Sequence, residues 1–261
     1  MPETVQFTKE SGVGLITLNR PEVYNAFNQQ MGDELVQVLK EAAKDAEVRA
    51  VLLTGSGKAF CSGQDLRDRS DANLQTMSLG NSVRTRYNPI IRAIVQMEKP
   101  VIASVNGVAA GAGCSLALAC DLRIISDRAK FIVAFSRIGL APDSGASYFL
   151  PRLIGFGRAM EIALTGRDVE AQEAVQVGLA DRIVPHDQLE EEAFRWARQL
   201  AQGPTKAYSL TKRALFYGME HSWEEALEYE AQMQEIAGKT EDFREGVMAF
   251  AEKRKPQFRG K

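Results

Sequence analysis

The stretch "KPVIASVNGVAAGAGCSLALACDLRIISD", Lys99 to Asp127, decides the fold. Val101 to Val105 is a short apolar run closed by Asn106-Gly107, and it reads as a strand buried on both faces. Asn106 to Asp121 is rich in glycine and alanine and runs into a helical segment at Cys114 to Ala119. Asp121 to Asp127 reads as another strand. Strand, glycine turn, helix and strand in that order make a βαβ unit, and therefore a mainly parallel sheet.

The pattern extends in both directions. Val5 to Asn19 gives two alternating apolar runs around Ser11-Gly12, a hairpin signal. Met31, Leu35, Val38, Leu39 and Ala42 recur at helical spacing. Arg49 to Gly55, "RAVLLTG", is a second continuous apolar strand run, and "KFIVAF" (Lys130 to Phe135) is expected to be a further strand. The Ser/Asn/Asp-rich stretch from Asp65 to Asn81 is expected to be a mobile loop, with a helical segment containing Tyr87 and Ile90 to Val95 after it. Beyond about Gly157 the periodicity is helical: Arg158 to Leu164, Ala171 to Val177, Leu189 to Leu200, Lys206 to Tyr217 and Trp223 to Ile236. The expectation is an α/β core over residues 1–200 and a helical C-terminal part over residues 201–261, packed on the core or on a neighbouring subunit.

Bulk properties exclude several classes. With 261 residues, 45% hydrophobic and 25% charged, the chain has the material for one large globular domain. A net charge of −2 supplies no basic field for nucleic acid or an anionic membrane. Cys61, Cys114 and Cys120 form no regular spacing and read as reduced thiols. "MPETVQFTKESG" lacks the basic and apolar regions of an export signal, and no apolar run is long enough to cross a bilayer. The cytoplasm is the expected location.

Three tempting motifs fail. "GSGK" (Gly55 to Lys58) resembles the end of a phosphate-binding loop, but Leu52 stands where its first glycine belongs and Ala59 where its Ser/Thr belongs. The early "GVG" opens no helix and has no third glycine. Only His186 and His221 are available for a catalytic triad or a metal centre, with neither HExxH nor CxxC present.

Two glycine-rich turns remain, each after a buried strand: "GKAFCSGQDL" (Gly57 to Leu66) and "NGVAAGAGCSLALACD" (Asn106 to Asp121). Ligands of α/β sheets gather beyond the carboxyl ends of strands, and glycine lets a backbone expose its N–H groups to them. A helix N-terminus at the second turn would favour an anion. Two N–H groups aimed at one point make an oxyanion hole; close packing of helix on strand explains the same small residues equally well.

The segments "LITLNRPEVYNAF", "AFCSGQDL", "KPVIASVNGVAAGAGCSLALACDLRI" and "FAEKRKPQF" resemble the crotonase, or enoyl-CoA hydratase/isomerase, superfamily, in order and over nearly the whole chain. The resemblance implies a core of ββα turns wound into a spiral, and a helical C-terminal region that assembles trimers, often paired into hexamers. It implies an acyl-CoA thioester substrate, with CoA entering as part of that substrate and with no metal or redox cofactor. By position, the oxyanion donors are the main-chain N–H groups of Gln64 and Ala112. Val23, Ala26 and the backbone of Gln64, Asp65 and Leu66 match CoA-contact positions. Tyr87, Phe135 and Ile138 would line the acyl pocket or simply pack in the core, and Lys253 would meet a phosphate or belong to a solvated C-terminal charge run.

The acid–base residues narrow the reaction. Family hydratases resemble one another in two glutamates, at positions where this chain has Ser115 and Phe135. Neither serves as a carboxylate base. Asp143 remains, in "GLAPDSGASYF". Taken alone it reads as the N-cap of a helix starting at Ser144; the family position makes it the general base, with a pKa expected to be raised by apolar neighbours. "FIVAFSRIGLAPDSGASYFLPRLIG", "RYNPIIR" and "REGVMAFAEKRKPQF" resemble a branch that isomerises a dearomatised epoxide of phenylacetyl-CoA to an oxepin thioester, and that also moves double bonds from the 3 to the 2 position. The rivals are a fatty-acid 3-enoyl-CoA isomerase, a hydratase with Asp143 alone, and a catalytically silent acyl-CoA binder.

Overall fold

Strands β1 (Val5–Glu10) and β2 (Val13–Leu18) form the expected antiparallel hairpin. Ser11 and Gly12 between them both take positive φ, 51° and 82°, the backbone of primed turns that match strand twist. β2 then pairs in parallel with β3 (Ala50–Gly55), β3 with β5 (Val101–Val105), β5 with β7 (Leu122–Ser126), and β7 with β10 (Arg182–Val184). A smaller sheet joins β4 (Ala59–Cys61), β6 (Val108–Ala110) and β8 (Lys130–Ile132) in parallel, with β9 (Asp168–Glu170) antiparallel on β8. Consecutive strands thus alternate between the two sheets before a helix returns the chain, which is a ββα spiral.

The computed structural model describes residues 3–68 and 78–261. Much of the expected Asp65 to Asn81 loop, residues 69–77, lies outside the described residues. On either side of it, Leu66–Asp68 forms a 3-10 turn and Leu79–Ser82 is helical.

The central strands β3 and β5 of the larger sheet are almost continuously buried because both their faces are covered, whereas β1, at the edge, is largely exposed. Helix α1 (Gln29–Lys44) buries Met31, Leu35, Leu39 and Ala42 on one side, within the main core. On the other side, Leu189, Ala193, Trp196 and Ala197 of helix α8 (Leu189–Ala201) cover Val13, Ala50, Leu52, Ile102 and Ile124. At about 25 cal/mol per Å² of apolar surface removed from water, such two-sided burial is the main stabilising term. α1 starts where Asn28 accepts a hydrogen bond from the Met31 N–H, 2.8 Å, an ordinary N-cap.

Between α1 and α8 lie α2 (Leu79–Ser82), a π-turn at Val83–Tyr87, α3 (Asn88–Val95), α4 (Ala112–Ala119), α5 (Ala146–Ile154), α6 (Phe156–Thr165) and α7 (Ala171–Val177). Helices α9 (Thr205–Gly218), α10 (Trp223–Ala237) and α11 (Glu241–Ala251) follow α8 and make the helical C-terminal region. Among the described residues, no helix is long and apolar enough to cross a membrane.

Several boundaries differ from the sequence expectation. α4 begins at Ala112, two residues before Cys114, because Gly111 takes a φ/ψ of 51°/−123° that lets the turn close early. β8 ends at Ile132 rather than at Phe135, and Ala134–Ile138 winds as a 3-10 turn that brings Phe135 into the core. α5 does not start at Ser144. Ser144 and Gly145 both have positive φ, 54° and 84°, so the helix begins at Ala146. α11 is a helix the sequence expectation did not include; its start is set by Thr240, whose hydroxyl accepts from the Phe243 N–H.

Candidate active site

Gln64, Leu66, Tyr87, Ala112, Phe135, Ile138 and Asp143 line one cleft of about 210 Å³. They come from four places: the turn after β4, the π-turn, the start of α4, and the segment between β8 and α5. Leu140, Arg137 and Ser62 line the same cleft, and composition carried no signal for them.

Two main-chain N–H groups face this space for a definable reason. The carbonyl of Gly63 accepts from the Phe27 N–H at 2.7 Å, and the Asp65 N–H donates to the Phe27 carbonyl at 2.9 Å. In a trans peptide the N–H points opposite to the carbonyl, so the Gln64 N–H is turned away from Phe27. The carbonyl of Gly111 accepts from the Ser115 N–H at 3.0 Å and from Ser115 Oγ at 3.2 Å, so the Ala112 N–H projects from the free end of α4. Among the described residues, neither N–H has a protein acceptor. Such orphan donors at a helix start suit an anion or a developing oxyanion.

Glycine brings the two turns together. A Cβ on Gly63 (φ 93°) would stand 2.8 Å from the Ala110 carbonyl oxygen and 3.4 Å from the Ala112 nitrogen. A Cβ on Gly113 would stand 2.1 Å from the Cys61 carbonyl oxygen. The small residues therefore serve close packing, one of the two explanations left open by the sequence, and the same packing sets the Gln64 and Ala112 turns side by side.

Asp143 is not an N-cap. The residue preceding α5 is Gly145, with no side-chain cap, and the main-chain carbonyl of Asp143 accepts from the Ala146 N–H at 3.0 Å. Its carboxylate accepts from the Ser144 hydroxyl at 2.7 Å, and the residue lines the cleft. Ser144 pairs a positive φ with burial, and strain of this kind concentrates at functional sites. Ser115, fully buried, also reaches the Asp143 carbonyl with its hydroxyl, at 3.0 Å.

The opposite wall carries Tyr87, whose hydroxyl donates to Gln64 Oε1. Burial pushes the Tyr87 phenol up to about 12, against the opposing pull of Arg86, so it remains a neutral donor at ordinary pH.

The remaining expected site residues lie elsewhere. Asp65 is buried and paired with Arg67 and Arg20, each 3.0 Å away; Arg67 first, and then Arg20, hold its carboxyl at about 2 against the cost of burial. It braces the turn and does not line the cleft. Val23 and Ala26 support the same turn: the Val23 carbonyl accepts from Ser62 Oγ at 3.2 Å, and Ala26 is buried. Lys253 is exposed just beyond α11, also away from the cleft. All three cysteines are buried, which raises each thiol to about 12. His186 Nδ1 lies 3.0 Å from Ser126 Oγ, but Ser126 is fully buried and Asp127 binds the His186 main-chain N–H instead of its ring, so no triad forms.

A larger apolar hollow, about 520 Å³, lies between α9 and the core, lined by Leu118, Phe149, Leu215 and Met219 among others. Two of the charges lining it neutralise each other, Lys212 lying 2.8 Å from the partly buried Asp121. The smaller cleft, lined by both glycine turns and by Asp143, is the candidate site.

A ββα spiral with main-chain donors from two glycine turns defines the enoyl-CoA hydratase/isomerase, or crotonase, family. The chain belongs to it, matching the family model described as "Enoyl-CoA hydratase/isomerase" over residues 8–261. It is similar to the 1,2-epoxyphenylacetyl-CoA isomerase of Escherichia coli K12, at 44% identity over the full length of both chains. It is also similar to the short-chain-enoyl-CoA hydratase of Clostridium acetobutylicum, at 36% identity over 95% of this chain and 94% of that one. The crystal structure of an enoyl-CoA hydratase from Bacillus anthracis superposes with a TM-score of 0.92 at 35% identity, over 99% of this chain and all of that one.

Proposed function

We propose that this protein is an acyl-CoA isomerase that converts ring-1,2-epoxyphenylacetyl-CoA to oxepin-CoA and also moves a 3-enoyl-CoA double bond to the 2 position. The observation that carries this reading is Asp143 at the cleft, with Ser115 and Phe135 at the positions where the family resemblance sets the hydratase glutamates. The similarity to the E. coli isomerase supports it.

In this mechanism the thioester oxygen accepts from the N–H groups of Gln64 and Ala112, which makes the α-proton more acidic. A donor of this type contributes roughly 2.7–4 kcal/mol to a transition state. The Asp143 carboxylate takes the α-proton and an enolate forms. For a 3-enoyl group the same proton returns at the γ-carbon as the double bond shifts, with no net redox change. For the epoxide, the carbon–carbon bond shared by the two rings opens and the oxygen becomes part of a seven-membered ring, conserving all atoms. No metal or redox cofactor is called for, and CoA enters as part of the substrate. The apolar residues exposed on the C-terminal helices, such as Leu215, Trp223, Leu227 and Phe250, support assembly as a trimer or a dimer of trimers in the cytoplasm.

Turnover of the epoxide, 3-hexenoyl-CoA and crotonyl-CoA by the purified protein tests the reading. Isomerisation with the epoxide preferred is expected. Efficient hydration of crotonyl-CoA without isomerisation would replace it with a hydratase, preference for 3-hexenoyl-CoA with a fatty-acid isomerase, and inertness towards all three with a silent binder.

A further inference from the structure

The polar wall of the cleft is built more elaborately than a lining needs. Gln64 Oε1 accepts from the Tyr87 hydroxyl and from Arg86 Nη1, the latter at 3.3 Å. Arg86 is itself held by Gln29 Oε1 in the first turn of α1, through Nη2 at 2.8 Å and Nε at 3.2 Å. Adjacent residues of an α-helix diverge by about 100°, yet Arg86 and Tyr87 meet at one oxygen. They do so within the π-turn Val83–Tyr87, whose wider winding brings neighbours closer in direction. π-turns are found frequently at functional sites.

A second observation points the same way. Gly32 is buried inside α1, where glycine is unfavourable. A Cβ there would stand 2.8 Å from Arg86 Cγ. The glycine opens a passage for the Arg86 side chain across α1 towards Gln64.

Gln64 is the residue whose main-chain N–H is one of the two donors described above. Phe27 grips the peptides on either side of it along one edge. The Gln64 carboxamide is the handle on the other edge, and Arg86 and Tyr87 hold that handle. We propose that Tyr87, assisted by Arg86, is a positioning residue that sets how far the Gln64 N–H reaches into the cleft, acting through the Gln64 side chain and not on the substrate. This rests on the reading of that N–H as an oxyanion donor.

A double-mutant cycle tests it. Tyr87→Phe removes the hydroxyl and keeps the ring, which packs edge-on against Phe27 with centroids 5.7 Å apart. Gln64→Met removes Oε1 and keeps the N–H. Each is compared with wild type and with the double variant in 3-hexenoyl-CoA isomerisation, and by titration with acetoacetyl-CoA, whose bound enolate is followed by ultraviolet absorbance. Each single change is expected to lower kcat and enolate affinity about tenfold with KM within about twofold, and the double variant to be no worse than either single one. Multiplying effects, a rise in KM with kcat intact, or no effect of Tyr87→Phe would overturn the proposal while leaving the oxyanion reading in place. A wild type that stabilises no enolate would remove the oxyanion reading itself, and the positioning role with it.

Discussion

The hydroxyl of Ser115, on the first turns of α4, lies 3.0 Å from the main-chain carbonyl of Asp143, 28 residues further along the chain. The same hydroxyl is 3.2 Å from the Gly111 carbonyl, so one buried side chain ties the donor turn to the loop that carries the acid. Where the family resemblance sets a water-holding glutamate in hydratases, this chain has a strut.

Ser115→Ala is therefore expected to destabilise the protein by about 1 kcal/mol, the usual net worth of one buried hydrogen bond. It should lower kcat several-fold by loosening the Asp143 loop. Thermal melting and steady-state isomerisation of the variant check both; an unchanged rate would show that Ser115 is a packing residue alone.

Asp143→Asn keeps the volume and an acceptor for Ser144 but removes the proposed base. The expected loss in kcat is roughly 10²–10⁴-fold, the usual range for a positioned general base, with acyl-CoA affinity nearly unchanged by calorimetry. Full rate in this variant would eliminate Asp143 as the proton acceptor.

Two glycines of the donor turn should fail for different reasons. Gly111 has open space around it, but its φ of 51° with ψ of −123° is suited to glycine. Gly111→Ala should cost about 1–3 kcal/mol and weaken the donor at Ala112. Gly113→Ala meets backbone at 2.1 Å, so the smaller sheet must part from α4, and the loss of stability should be the larger of the two. Urea unfolding of both variants ranks them.

Asp65 makes stability depend on pH at the acid end. Its folded pKa, about 2, lies below the ordinary value of 3.8, so its contribution is complete above about pH 4 and is lost as the pH falls towards 2. Asp65→Asn should cost about 2 kcal/mol at pH 7, by the conversion of 1.36 kcal/mol per unit, and the gap from wild type should close between about pH 4 and pH 2. Urea titrations at several pH values measure the gap; a constant difference would place the effect of Asp65 in packing and not in charge.

The order of residues along the chain already carried much of the fold. Alternating or continuous apolar runs marked β1, β2, β3, β5 and β7, because a strand's faces are written in nearest-neighbour order. Helical periodicity marked α1 and most C-terminal helices for the same reason. Ordered motifs around Ser62-Gly63-Gln64 and Gly111-Ala112-Gly113 were enough to identify the family, and Asp143 stood out because no other acid shared its apolar loop.

Tertiary structure decided the rest, wherever a residue's role depends on partners far along the chain. Asp143 had a local reading as a helix cap, and it is displaced from that role by the backbone of Ser144 and Gly145. Asp65 matched a ligand position through its backbone, and the spacing gave no sign that its side chain pairs with Arg20 and Arg67. The links from Gln29 through Arg86 to Gln64, and from Ser115 to Asp143, join segments 57, 22 and 28 residues apart. Spacing in one dimension records which face of an element is buried; which polar groups meet across elements is set only when the spiral closes and desolvation requires each buried donor to find its acceptor.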